Sequence, residues 1–532
     1  MAELLTDELG QAFEIADQDG SYCIKGHECI SANIAVVKAI ASFLSTSLGP
    51  TGMDKILQSE DDDIVVTNDG ATILKSMGMQ ENPVSRMICQ LSESQDEEIG
   101  DGTTSVVIIA AALLREAQVL LAHGMHPIKI SEAFELALCH AVQHLADISD
   151  EITDTRETML KAAKTSLGSK IVSKALDMFA EICTDAVMMV ADIDRKDVDF
   201  ELISIQGKVG RDVSDSMLVR GVVISKEFSH PQMAKHVADA RIALLSCPFE
   251  PPKLKTKHSL VISSTEEYRQ LEEYEKSKFV EMIDKVKHSG ANLVMCQWGF
   301  DDEANSMLME SNLPAVRWVG GHELELLAVH TGASIIARFE DLQEGDLGRA
   351  NVREECLGTE SDKIIVVENN KCSKAVTVLV RGANDLIIEE AKRSVRDALC
   401  AARNVITNTR VVYGGGSCEM ACSLSLERYA EMHAGGDRLG ILGFGKALEE
   451  IPLCLARNSG HDAIRSIMGL RKTQVDGKNH RIGVDCVGSG ENDMKSLGIF
   501  DTLNSKVRQL QMATQLVTMI LKIDNVVSES LC

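Results

Sequence analysis

Residues 95–117, QDEEIGDGTTSVVIIAAALLREA, set two glycines, a carboxylate and three hydroxyls directly before an uncharged run of nine apolar residues. That run, Val106 to Leu114, has no polar stripe and reads as a helix buried on all sides; at nine residues it is too short to span a bilayer. What precedes it is then the N-terminus of a buried helix, with unpaired N–H groups and the positive pole of the helix dipole. Gly100 and Gly102 let a backbone approach closely there, which is how proteins hold phosphate. In that reading Asp101 is a ligand for Mg2+, and the backbone and hydroxyls of Gly102, Thr103, Thr104 and Ser105 take phosphate oxygens. The same residues would also make an ordinary Asp or Thr cap, and this stretch alone leaves both readings open.

A second loop favours the nucleotide. STSLGPTGMDK, residues 45–55, is another Gly/Pro turn with hydroxyls, of the kind that can run over a nucleotide. Hydrolysis of a bound triphosphate needs a positioned water, and carboxylates are the expected agents. Asp69, in a strand-turn-helix corner, and Asp397, in SVRDALC, are candidates, although each is also a plausible cap or solvated helix residue. GILGFGKA, residues 440–447, has P-loop spacing up to Lys446, but Ala447 stands where a Mg2+-binding hydroxyl belongs and no strand precedes it. It is expected to be a helix connection.

Composition narrows the class. At 532 residues the chain needs several domains, and 45% hydrophobic content is ample for their cores. With two Trp, five Tyr and 22 Met, those cores must be aliphatic, which suits a helix-rich protein. A net charge of −26, from 54 basic and 80 acidic residues, argues against nucleic acid as a partner. No secretory leader, no run approaching 18 apolar residues and no Asn-x-Ser/Thr acceptor is found, so neither secretion nor membrane insertion is expected. The 15 cysteines are odd in number and form no Cys-x-x-Cys pair, as in reduced cytosolic proteins.

Residues 30–150 read as helical, interrupted where DDDIVVTNDGATILKSM passes from a short strand through Asn68-Asp69-Gly70 into a helix. Helix returns over 155–190, then short strands, then a mixed α/β block over 240–375. Within that block a highly charged helical stretch has a weak apolar face and is expected to project into solvent or to cover something transiently. A helical segment containing Asp397, the glycines 414–416 and a helical remainder follow, and LVTMILKID, residues 516–524, looks strand-like. This near-palindromic order is what nested domains would produce, with the first built from both chain ends.

TSLGPTGMDK, VTNDGATIL, GDGTTSVV, KTSLGSK, VVYGGG and MILKID occur together and in order, and on these residues the chain resembles the group II chaperonins over essentially its whole length. The apical segments FSHPQM, CPFEPPK, KTKH, CQWGFDDEAN and LPAVRWVGG are further marks within that family. The resemblance implies a multidomain α and α/β chaperonin (GroEL-like) fold. Its helical equatorial ATPase domain would comprise 1–152 and 412–532, and its mixed α/β intermediate hinge domain 153–225 and 378–411. An α/β apical substrate-binding domain would take 226–377, with a helical lid protrusion at about 249–290. It also implies a cytosolic double ring with seven paralogous subunits, unfolded clients such as actin and tubulin, and an ATPase using ATP/ADP and Mg2+.

By the same resemblance Leu48, Gly49 and Pro50 lie against nucleotide, and Asp101 holds Mg2+ while Gly102 to Ser105 cradle phosphates. Gly415 faces the nucleotide, and Asp485 takes the ribose hydroxyls with Asp501 and Lys506 nearby. Asp397 orients the attacking water, Asp69 assists, and Lys170 with Ser169 senses the γ-phosphate. Four positions depart from the family pattern: Thr51, Ala234, Asp501 and Arg457, the last a charge reversal that puts a local equatorial or intersubunit contact in doubt. Two rivals remain at this stage, a ring subunit that binds nucleotide without useful hydrolysis and a metabolic ATP-dependent transferase; no second substrate site is evident for the latter. The helix expected at Asp301 to Asn312 and the protrusion are family-level candidates for client contact, or equally packed surface.

Overall fold

The computed structural model describes residues 5–6, 12–13, 21–58, 64–78, 82–152, 154–250, 262, 264–358, 362–369, 375–477 and 479–529. The chain divides into two compact units, residues 1–184 with 393–532 and residues 185–392. The first is therefore assembled from both chain ends, and strand Ser21–Lys25 pairs antiparallel with Asn525–Glu529.

Helix Thr103–Ala122 runs through the core of the first unit. Val106 to Leu114 are all buried, as their uninterrupted apolar character requires. Phe134 and Phe444 meet edge to face at 5.8 Å beside it. The helix is longer than the nine-residue run suggests because its two charged residues find partners: Arg115 pairs with Glu450 at 2.6 Å and Glu116 with Lys446 at 3.1 Å. At 20 residues it is long and apolar enough to cross a membrane, as is Glu28–Ser45; 67% of the Thr103–Ala122 window is buried inside the fold, the position of a core helix.

Two other helices of this unit start where a short polar side chain satisfies their free N–H groups. Asn82 caps Pro83–Glu98 by accepting from Val84 N at 2.9 Å, and Asp154 caps Thr155–Leu167 by accepting from Glu157 N at 3.2 Å. GILGFGKA lies inside helix Gly436–Leu448, where a Cβ on Gly440 would come within 2.4 Å of the Ala133 Cβ. Its glycines permit close helix packing, in agreement with the rejection of a P-loop. One expectation is corrected. Residues 516–521 belong to helix Leu503–Leu521, and the strand starts only at Asn525. Leu510, Ala513, Thr514, Val517, Ile520 and Leu521 are buried at helical spacing, so core packing overrides the β-propensity of Val517 and Ile520.

The second unit is built on a seven-stranded mixed sheet. Strands His236–Leu245, Leu293–Cys296 and Ala315–Val316 run parallel, while Gly348–Cys356, Lys363–Glu368 and Gly221–Ile224 continue it antiparallel. Val376–Gly382 separately pairs with Ile203–Val209 and Met217–Val219. The charged stretch forms helix Thr265–His288, anchored by Phe279, Ile283 and Val286 in its C-terminal half. Residues 251–261 and 263, in the rest of the expected protrusion, lie outside the described residues. The helix expected at Asp301 to Asn312 spans Asp302–Glu310.

Candidate functional site

Two helix N-termini meet at one cleft. Helix Gly70–Ser76 is capped by Asp69, whose Oδ2 accepts from Thr72 N at 3.0 Å and Thr72 Oγ1 at 2.8 Å. The other Asp69 oxygen accepts from Thr103 Oγ1 at 2.8 Å, in the first turn of Thr103–Ala122. The two starts approach closely because Gly70 lacks a side chain: a Cβ there would fall 2.9 Å from the Thr104 backbone.

The second N-terminus is open. Its N-cap is Gly102, at φ 78°, and no side chain caps the first turn. The Asp101 carboxylate accepts from Gly102 N at 2.8 Å rather than from the helix proper, so the ordinary-cap alternative does not hold here. An uncapped first turn beside a left-handed glycine can receive an anion. Gln95 donates to the Asp101 carbonyl at 2.8 Å, and buried Gln509 presses against Gly102 so closely that a Cβ there would lie 1.8 Å from Nε2.

The cleft has a volume of about 890 Å3, within the range of small-molecule sites. All the residues expected from the sequence line it: Leu48, Gly49 and Pro50; Asp69; Asp101 to Ser105; Ser169 and Lys170; Asp397; Gly415; Asp485; Asp501 and Lys506. Asn458 at the end of helix Glu450–Asn458 fixes the first of these loops, donating to the Ser45 and Leu48 carbonyls at 2.8 and 2.7 Å. Asn68 ties the Lys170 loop by donating to the Ser169 carbonyl at 2.9 Å. Asp485 closes its own turn, accepting from the N–H groups of Val487, Gly488 and Gly490 at 3.1, 2.9 and 2.8 Å; its oxygens retain lone pairs for a further donor.

Electrostatics distinguish the carboxylates. Burial pushes Asp69 up, but the Lys170 charge and the hydrogen bonds from Thr72 and Thr103 outweigh it and hold it below the usual range. Asp101 is raised, by burial and then by Asp501, against the opposing charges of Lys170 and Lys506. Asp397 is ion-paired with Lys170; burial nevertheless pushes its carboxyl up to about 7, Lys170 opposing and Asp69 adding. Burial disfavours the Lys170 ammonium, yet Asp397, then Asp69 and Asp101, raise it above its ordinary value, so it stays charged. The result is a carboxylate poised near neutrality beside a permanent cation, a combination suited to proton transfer.

Lys506 pairs with Asp501 at 3.2 Å and with buried Glu419 at 2.8 Å. Glu419 escaped the sequence reading, as did Gln95, Asn404, Asn458 and Gln509, while Asn68 figures there only as part of its turn. Glu419 follows the glycines 414–416 closely, a signal of proximity to the site, but no spacing links it to Lys506. Arg457 lies 3.6 Å from Glu450 with 60% of its side chain exposed.

Among the described residues no three His, Cys, Asp or Glu side chains could hold a metal by themselves. Asp101, partly buried and crowded by the like charge of Asp501, fits a hard divalent cation whose remaining ligands are water or substrate oxygens, the usual arrangement for Mg2+.

The fold is that of the chaperonin family. A model of the TCP-1/cpn60 chaperonin family matches residues 40–530, and the chain belongs to that family. It is similar to T-complex protein 1 subunit epsilon of Encephalitozoon cuniculi, with 74% identity over 529 residues, 99% of each chain. Thermosome subunits of Methanopyrus kandleri and Methanocaldococcus jannaschii are each 38% identical, over 506 and 504 residues. These matches cover 94% of this chain and 92% and 93% of theirs.

Proposed function

We propose that the chain is one subunit of a cytosolic, hetero-oligomeric double-ring chaperonin, and that it binds and hydrolyses ATP in the cleft to drive the folding of enclosed proteins. The observation that carries this reading is the convergence on one cleft of an uncapped helix N-terminus, three partly buried carboxylates and a partly buried lysine. Family resemblance supports seven paralogous partner subunits and clients such as actin and tubulin. It also supports an equatorial domain of 1–152 and 412–532, an intermediate domain of 153–225 and 378–411, and an apical domain of 226–377 with its protrusion closing as a lid.

The N–H groups of the first turn, with the hydroxyls of Thr103, Thr104 and Ser105, bind phosphate oxygens. Leu48 to Pro50 and Gly415 pack on the nucleoside, and Asp485 accepts from the ribose. Mg2+, when bound with Asp101 as its protein ligand, neutralises phosphate charge that the surrounding carboxylates would otherwise repel. Asp397 accepts a proton from the attacking water, and Asp69 helps to orient that water. Lys170 favours the ionised form of Asp397 against the burial that raises it, and meets the γ-phosphate with Ser169.

The test is single-turnover hydrolysis of a photo-crosslinkable ATP analogue, so that turnover is read on this polypeptide alone within its assembly. Asp397→Ala is expected to slow it at least about a hundredfold with nucleotide affinity retained. Equal rates in wild type and variant would remove Asp397 from catalysis and leave a subunit that only binds nucleotide.

A further inference from the structure

The helix carrying Asp397 is docked on the turn carrying Asp101 at three successive backbone positions. Asn404, 5% exposed, donates from Nδ2 to the Ile99 carbonyl at 2.9 Å. Arg403 donates to the Glu98 carbonyl at 3.0 Å. Cys400 packs so tightly on Gly100 that a Cβ there would lie 2.4 Å from both its Cβ and its Sγ. Helix Pro83–Glu98 ends at these carbonyls, and the final carbonyls of a helix have no partner within it. Asn404 and Arg403 therefore complete its C-terminus from 305 residues away in sequence. Asp397, Ala401 and Asn404 follow at i, i+4 and i+7, one face of helix Asp385–Thr407, and all three line the cleft. From the other side Gln95 holds the Asp101 carbonyl.

We propose that Asn404 is a positioning residue for hydrolysis, fixing the Asp397 carboxylate relative to the Asp101 turn by capping the Pro83–Glu98 helix. This rests on Asp397 being the base. A carboxamide does not titrate, so the docking persists while Asp397 gains or loses its proton. Displacing a catalytic group by about 1 Å can cost about a hundredfold in rate, and a partly loosened helix costs less.

The test applies the same crosslinking assay to Asn404→Leu and Arg403→Ala in the full assembly, with and without Asp397→Ala. Asn404→Leu is expected to slow hydrolysis about tenfold with nucleotide affinity within about twofold, and Arg403→Ala about two- to threefold. In the Asp397→Ala background Asn404→Leu should change the residual rate less than about twofold, because its effect acts through the missing carboxylate. Equal slowing in both backgrounds, or loss of affinity in step with rate, would make Asn404 merely structural and overturn the proposal; so would an unchanged rate. If Asn404→Leu does not assemble, Arg403→Ala in the two backgrounds decides by the same criteria. If Asp397→Ala alone leaves the rate unchanged, the assignment of the base fails first and the positioning role falls with it.

Discussion

Asp397 is held by burial at a pKa of about 7 although Lys170 is paired with it, and this makes the pH dependence of hydrolysis a sharp test. A general base acts in its ionised form, so the rate should follow the ionised fraction. With a pKa of about 7 that fraction is about a tenth at pH 6 and about nine tenths at pH 8, a rise of about tenfold. A carboxylate at its ordinary value would be fully ionised across that interval, and the profile would be flat. Lys170 lowers the Asp397 pKa, so Lys170→Met should move the rising limb to higher pH as well as reducing the rate at every pH. Asp397→Ala should abolish the limb. The assay is single-turnover hydrolysis at saturating nucleotide and Mg2+ between pH 5.5 and 8.5, with assembly verified at each pH. A flat profile for the wild type, or an unmoved limb in Lys170→Met, would refute the reasoning.

Three further outcomes follow from the geometry. Gly102→Ala places a Cβ 1.8 Å from the buried Gln509 amide at φ 78°; it should weaken nucleotide binding at least about tenfold by filter binding and cost about 1–3 kcal/mol of stability in thermal melts. Lys446→Ala should leave affinity and turnover within about twofold, because Lys446 belongs to a helix and to an ion pair with Glu116, its own side chain 67% exposed. Lys506→Met leaves Glu419 and Asp501 without their cation and should cost about 3–5 kcal/mol by denaturant unfolding. Burial raises Glu419 while Lys506 and its hydrogen bonds hold it below its ordinary value, so in the wild type its contribution is present above the unfolded carboxylate pKa and is lost as pH falls through the folded value. Without Lys506 burial wins, and the stability deficit should narrow on acidification through the carboxylate range.

Local chemistry made part of this legible in the sequence. Glycines flanking Asp101 before an unbroken apolar run marked an open helix start, and Asn68-Asp69-Gly70 marked a strand-to-helix corner. That both corners face one cleft depends on Gly70 lying against Thr104, a tertiary contact that no spacing encodes. The roles of the amides that hold the loops, Asn68, Gln95, Asn404 and Asn458, are not legible because each acts on a backbone carbonyl that the folded chain brings to it, and an Asn or Gln carries no signal of its partner. Residues 516–521 misled because Val517 and Ile520 favour strands in isolation, whereas the core of the first unit selects a helical face.

The most direct test of the central claim is the native mass of this chain in an extract, with and without ATP and Mg2+, combined with whether a labelled unfolded protein migrates with it. Sixteen chains of about 57.9 kDa would give a particle of roughly 900 kDa. The account predicts that particle, with unfolded protein bound in the absence of ATP and enclosed or released when ATP and Mg2+ are added. A monomer or small oligomer under every condition, or a ring that never carries unfolded protein, would contradict it.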